Sequence, residues 1–253
     1  MDNQFLTTPR PGRNRLLVAV AALLLAFGLG FAVRLLPHRN SPQNTTAASP
    51  GTTTAMIAGP GGSTAPSGSS DPIAPPSPGP MRLVRGSRAE RGIGVGYPHT
   101  LTGAVSASVE FTTAFTSNLD LQRAVDVGTL VTDGSFGAPE VFTQGPVGLR
   151  KLIGVATSGP VPIGASAVSS PAAYQVRDIT NDSVTVLVLA FYTLRSEVVG
   201  YKSYIAVFPS RVVWNGEDWK LNRRPDNSPE FAELRLQPGS AEAAAAGWLD
   251  FLQ

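Results

Sequence analysis

His99 is the residue of this chain with most to offer chemically. It is one of two histidines, and it stands in Gly94-Val95-Gly96-Tyr97-Pro98-His99-Thr100, just ahead of a stretch with helical spacing. An imidazole titrates near neutrality, so His99 is a candidate general base. Its setting argues against that use. It precedes a helix N-terminus, whose partial positive charge disfavours a protonated ring. We expect His99 and Tyr97 to close over the helix start instead. His38 falls in a polar, Pro-rich stretch and reads as solvated. The chain has no cysteine. That excludes disulfides and a cysteine nucleophile, and two histidines so far apart exclude the common zinc patterns. The glycines around Tyr97 miss the G-x-G-x-x-G spacing and no Lys-Ser/Thr follows, so this is not a phosphate loop. Asn215-Gly216-Glu217-Asp218-Trp219 is acidic but too short for a calcium loop. No catalytic residue, cofactor or metal is expected.

Other charged and aromatic residues are interaction candidates. Arg177 with Asp178, and Arg195 with Glu197, sit near strand ends, where such pairs are usually solvated charges. Trp214 and Trp219 flank an Asn-Gly turn and are placed to pair across two strands. They read as sheet-stabilising, with an exposed aromatic patch for a partner as the alternative. Arg82, Arg85, Arg88 and Arg91 recur at steps of three. On a helix they would share one face and suit an anionic partner. Gly86 and Gly92 weaken such a helix, and no aromatic is interleaved for base stacking. A solvated spacer is the simpler reading, and direct nucleic-acid binding is not expected.

These residues need elements to position them. Pro98 disfavours helix at Tyr97, and Thr100 is a plausible N-cap. From there Leu101, Val105, Val109, Phe111 and Phe115 form an apolar stripe on a helix of about 17 residues. Gly103, Ala104, Ala107 and Ala114 let a neighbour lie close. Asn118 to Val131 reads as a second helix, capped by Asn118 or Asp120. Two short helical pieces follow, broken at Gly145-Pro146. The texture then changes to strands: 172–180, 183–196, 200–214 and a last one through Trp219-Lys220-Leu221-Asn222. Asn215-Gly216 predicts a type I′ hairpin turn. Val184, Val186, Val188, Ala190 and Tyr192, or their alternates, face inward. Most are aliphatic, so a filled core is expected rather than a polar site. A final helix is expected from about Ser240, anchored by Trp248, Phe251 and Leu252. The order implies an α+β fold, with about three helices packed on a curved antiparallel sheet of about four strands.

The N-terminal third is different. Leu16 to Val33 is an uncharged apolar run that Arg34, Leu35 and Leu36 extend. At 1.5 Å per residue, 16–36 spans the roughly 30 Å hydrocarbon layer of a bilayer. A buried soluble helix would need a polar face, and a cleaved signal peptide would have a shorter apolar core; Gly30-Phe31-Ala32 offers only a weak exit. We read 16–36 as a retained transmembrane helix. Arg10, Arg13 and Arg15 before it, against Arg34 and Arg39 after it, place residues 1–15 in the cytoplasm. Residues 37–93 read as a Pro/Gly/Ser/Thr-rich disordered linker, whose first 44 or so residues would span roughly 35–40 Å as a coil. Residues 94–253 are the extracytoplasmic domain. Before residue 97 nine arginines face three acids; after it eleven basic side chains face fifteen acidic ones. A basic leader thus carries a mildly acidic domain.

Helices first, then a long-stranded sheet ending in Val212-Val213-Trp214-Asn215-Gly216-Glu217-Asp218-Trp219-Lys220-Leu221, resembles the cystatin-like, NTF2-like fold. One span, a tether and such a domain resemble the VirB8-type and TcpC-type membrane subunits of conjugation and type IV secretion machines. The stretch Gly94 to Val105, with the terminal Trp-Trp strand, is similar to actinobacterial membrane proteins of conjugative elements. The resemblance implies a structural, non-enzymatic scaffold of a DNA-transfer apparatus. Its implied partners are the membrane and other channel subunits, with self-association among them. The alternatives are a tethered ligand-binding or enzymatic domain with a pocket, and a wall-associated module using the arginines.

Overall fold

The computed structural model describes residues 80–223 and 229–252. The apolar stretch 16–36, residues 1–15 and the tether up to residue 79 lie outside them. Among the described residues, no helix is long and apolar enough to cross a membrane.

The fold is α+β. Strands β1 (Met81–Arg82), β2 (Arg88–Glu90) and β3 (Ile93–Val95) come first. Helices α1 (Leu101–Thr116), α2 (Leu121–Val131) and α3 (Gln144–Leu152) follow, with a 3-10 turn over Pro139–Thr143 leading into α3. Then come β4 (Ser166–Arg177), β5 (Ser183–Ser196), β6 (Gly200–Trp214) and β7 (Trp219–Asn222). The chain closes with α4 (Ala241–Ala245) and β8 (Leu249–Leu252). The main sheet runs β1-β8-β4-β5-β6-β7, and β2 with β3 forms a separate ribbon. The β4–β7 meander is antiparallel, and the pair β1–β8 at its edge is parallel.

Helix α1 begins where the sequence places it. The Thr100 hydroxyl accepts the Gly103 N–H, and Asp120 does the same for α2 through Arg123. α1 lies across the inner face of β4 to β7. Residues on almost every side of it are buried, which is why it carries so many Ala, Ser and Thr and no strong polar face. Val184, Val186, Val188, Ala190, Tyr192 and Leu194 of β5 fill the space beneath it, none more than 2% exposed. The outer face of β5 is covered as well: Leu187 and Leu189 meet Phe231, Ala243 and Trp248 of the C-terminal segment. Cover on both faces explains why β5 is continuously apolar rather than alternating.

Five expectations are corrected. The folded part begins before residue 94, because β1, β2 and the first residue of β3 lie within 37–93, the stretch read as linker. The arginine-bearing segment, read as a solvated spacer with a helix as the alternative, holds a hairpin: Arg91 and Gly92 both take positive φ (50° and 73°) and turn β2 into β3. Here two successive positive φ values make the tight hairpin expected at Asn215-Gly216. At that later turn only Gly216 is positive, and the loop holds four residues, with Asn215 N–H bonded to the Asp218 carbonyl. Gly145-Pro146 does not break a helix but lies in the first turn of α3, where a proline is tolerated. The C-terminal helix stops at Ala245. Gly247 at φ 86° ends it, and Leu249–Leu252 form β8. Strand placement of β8 puts Phe251 in stacking contact with Tyr174, centroids 5.3 Å apart.

Two prolines sit within strands, each without an N–H to give a ladder. Pro171 lies at a register shift of β4, beyond the two residues that β8 pairs. Pro209 lies on β6 just past Arg211, the last residue that β7 pairs.

Candidate functional site

The stretch between β3 and α1 is bound to the β6–β7 turn, 121 to 122 positions away in sequence. The Asp218 carboxylate, 2% exposed, is the centre of this junction. Its Oδ1 accepts the Tyr97 N–H at 2.9 Å and the Trp219 N–H at 2.9 Å, and its Oδ2 accepts the Gly96 N–H at 2.8 Å. Lys220 Nζ stands 3.8 Å from it and donates to the Leu130 carbonyl at 2.9 Å. Three backbone donors converging on a buried carboxylate satisfy it and stabilise its charge. Asn215 Oδ1 accepts the N–H groups of Glu217 and Asp218 and so aims Asp218 inward. The acidic turn that is too short for calcium is therefore a clasp.

His99 closes the same junction from outside. Its ring stacks on Trp214, centroids 4.3 Å apart and planes 9° apart. Its Nε2 lies 2.8 Å from the Asn181 carbonyl and 3.0 Å from Asp182 Oδ1. Both partners are acceptors, so Nε2 carries a hydrogen and donates. Trp219, wholly buried, meets Trp214 edge-on at 5.6 Å and donates from Nε1 to the Pro98 carbonyl at 2.9 Å. The two tryptophans are direct register partners across β6 and β7. This aromatic pair is a packing element, and neither ring forms an exposed aromatic patch. A base needs a lone pair aimed at a proton to be taken. The Nε2 of His99 is already committed to structure.

A groove of about 630 Å³ opens between the arginine-bearing segment and α1. Val84 and Val109 give it an apolar lining, Arg85 and Arg88 bring cations, and Glu110 an acid. Glu110 Oε1 accepts the Gly94 N–H at 3.2 Å. The Tyr97 hydroxyl accepts from the Gly86 backbone; burial, then the charges of Glu110 and Asp218, push its titration well above the usual tyrosine range. Gly86 is required here, since a Cβ would lie 2.4 Å from the Val95 carbonyl oxygen. The four arginines do not form one face. Arg82 is in β1, Arg88 pairs with Glu90 at 2.7 Å, and Arg91 reaches Asp126 at 3.3 Å. Only Arg85 and Arg88 reach the groove.

The remaining candidates stay apart. Arg177 lies opposite Thr185 at one end of the sheet, with Asp178 just beyond the strand, while Arg195 lies opposite Ser166 at the other end. Arg177 reaches Gln175 and covers the Phe231 ring at 5.6 Å. Two residues escaped the sequence reading. Asp218 was hidden in a turn, and Arg150 in a short helix. Arg150 is wholly buried, donating from Nε to the Leu119 carbonyl at 2.7 Å and from Nη1 to those of Ala156, Ser158 and Gly159. It pins the loop after α3. No pattern in the sequence marks either residue, because Asp218 is buried by Gly96 and Tyr97 and Arg150 is held to Leu119 from other segments.

The sequence model of a family described as a domain of unknown function (DUF8175) matches residues 38–239. The chain belongs to that family. No curated protein and no solved structure matches it.

Proposed function

We propose that this DUF8175 member is a non-enzymatic, membrane-anchored assembly subunit. Its tethered NTF2-like domain would dock on other subunits of a conjugative DNA-transfer or type IV secretion-like apparatus. The observation that supports this most is the filled interior. In a fold of helices over a curved sheet, a catalytic pocket would open between the two layers. Here that space holds Val184, Val186, Val188, Ala190, Tyr192 and Leu194 against α1. Several polar groups among them are satisfied locally: Tyr192 donates to the Thr116 carbonyl at 2.9 Å, and the Ser108 and Ser210 hydroxyls meet at 2.5 Å. His99 stacks on Trp214 and donates from Nε2 to the Asn181 carbonyl. What the domain offers is surface.

Cross-linking in native membranes, then mild detergent extraction and identification of co-purifying chains, tests this. Recovery with a transport ATPase and other channel proteins is expected. Recovery as a lone monomer overturns it. A second reading, a tethered ligand-binding domain, is favoured by one observation, the groove beside Arg85, Arg88 and Glu110. Thermal stabilisation of the chain by a small charged ligand, lost in Arg85→Ala, would select it.

A further inference from the structure

The outer face of the sheet is only half covered. The rows through Leu187 and Leu189 lie under Phe231, Ala243 and Trp248. The next rows, toward the β5–β6 turn, are open. Register places Phe191 opposite Ser170 and Ile205, Val168 opposite Thr193, and Tyr201 opposite Arg195. Phe191 is 40% exposed, Val168 47% and Tyr201 72%. Two loop residues extend the patch. Val198, 70% exposed, lies in the β5–β6 turn, against Gly154 just after α3. Ile163, 98% exposed, sits in the Pro162–Ala165 turn that feeds β4. Five of the seven exposed large apolar side chains among the described residues thus gather at one end of the sheet.

The charge there is equally one-sided. Segments 151–170 and 191–205 carry Lys151, Arg195 and Lys202, all exposed, against Glu197 alone. This stands out on a domain whose acids outnumber its bases. A second copy docked about a two-fold axis would bring these cations onto themselves, which is unfavourable. Apolar side chains projecting singly from strand ends and two separate loops suit a deformable apolar phase, with basic side chains at its anionic rim.

We propose that this end of the sheet, around the β5–β6 turn, docks on an anionic lipid surface, with Ile163, Val198 and Tyr201 entering the headgroup boundary. From the proposed anchoring the inference takes only the nearness of a bilayer.

The chain has no cysteine, so one introduced thiol carries a probe uniquely. The full chain bearing a polarity-sensitive fluorophore at Val198→Cys is reconstituted, at no more than one copy per vesicle, into phosphatidylcholine with or without phosphatidylglycerol. A second variant carries the probe at Glu217→Cys, in the exposed turn at the opposite end of the sheet. The expected result is a blue shift and quenching by nitroxide-labelled lipid for the Val198 probe with phosphatidylglycerol only. The Glu217 probe stays in water. Each basic side chain beside an anionic leaflet is worth roughly fivefold in affinity. Arg195→Glu with Lys202→Glu therefore lowers the ratio of docked to free domain by at least about 25-fold. A Val198 probe that stays wet overturns the proposal, as does equal shielding in neutral vesicles or shielding that needs raised protein density. Flotation with phosphatidylcholine alone reads the anchor separately. A chain that fails to float there sinks the anchoring reading, and the Val198 probe with added phosphatidylglycerol vesicles still decides docking.

Discussion

Asp218 holds the backbone of Tyr97 across 121 positions of sequence, at 2.9 Å and out of contact with water. The same carboxylate holds Gly96 and Trp219. It joins the way into the helical layer to the last hairpin of the sheet.

Asp218→Ala leaves three inward N–H groups without an acceptor, and each orphan costs roughly 1–3 kcal/mol. A loss of about 3 kcal/mol or more is expected, read as a lowered midpoint in chemical denaturation of the full chain in detergent. A midpoint within experimental scatter of the parent would show that the clasp is dispensable.

His99→Ala removes one ring stack and one half-exposed hydrogen-bonded contact, worth about 1 kcal/mol together. Folding and partner recovery are expected to persist. His99→Phe, which keeps the stacking on Trp214, should regain part of the lost stability. Abolished function with folding and partners intact would count against a structural role for His99.

Gly103→Ala sets two effects against each other. Alanine is the better helix former by about 1 kcal/mol. A Cβ at this position would lie 2.0 Å from the Pro98 carbonyl oxygen, the acceptor of Trp219 Nε1. A backbone clash of that depth outweighs propensity, so the variant is destabilised by about 2 kcal/mol or more. Loss of the native tryptophan emission on mild heating reports it.

Asp133 links the exit of α2 to β7. Partial burial pushes its carboxyl up, but hydrogen bonds from Asn222 and Ser135 outweigh this and hold it below the ordinary aspartate range. The folded state therefore binds this proton less readily than the unfolded one. Its contribution is complete above about pH 4 and is lost as pH falls through the lower folded value. The group is largely exposed, so the effect is well under about 1 kcal/mol. In Asn222→Ala the Asp133 titration, followed by NMR, moves up toward the ordinary value. An unmoved titration would show that Asn222 does not set it.

Much of this architecture is legible in local pattern. Thr100 and Asp120 cap where their side chains can reach the next turn, and the apolar spacing after each predicts its helix. The long β-branched runs of β5 and β6 read as strands because so many positions are stiff at χ1. Alternation failed to assign the faces of β5, since the C-terminal segment covers the second face.

Sequence alone determined the helix starts, the strand meander, the filled interior and the want of cysteine chemistry. Those follow from forces acting over a few residues. Tertiary structure alone decided the rest. It turned Arg82 to Arg91 into strand and hairpin, because β8 and β3 supply ladder partners that no helix offers. It made a strand of Leu249–Leu252 by laying it on β4. It buried Asp218 by bringing the distant backbone of Gly96 and Tyr97 to it, it laid the Leu119 carbonyl on buried Arg150, and it gathered Ile163, Val198 and Tyr201 at one open end of the sheet. Such placements depend on which segments meet, and a linear pattern carries no record of that.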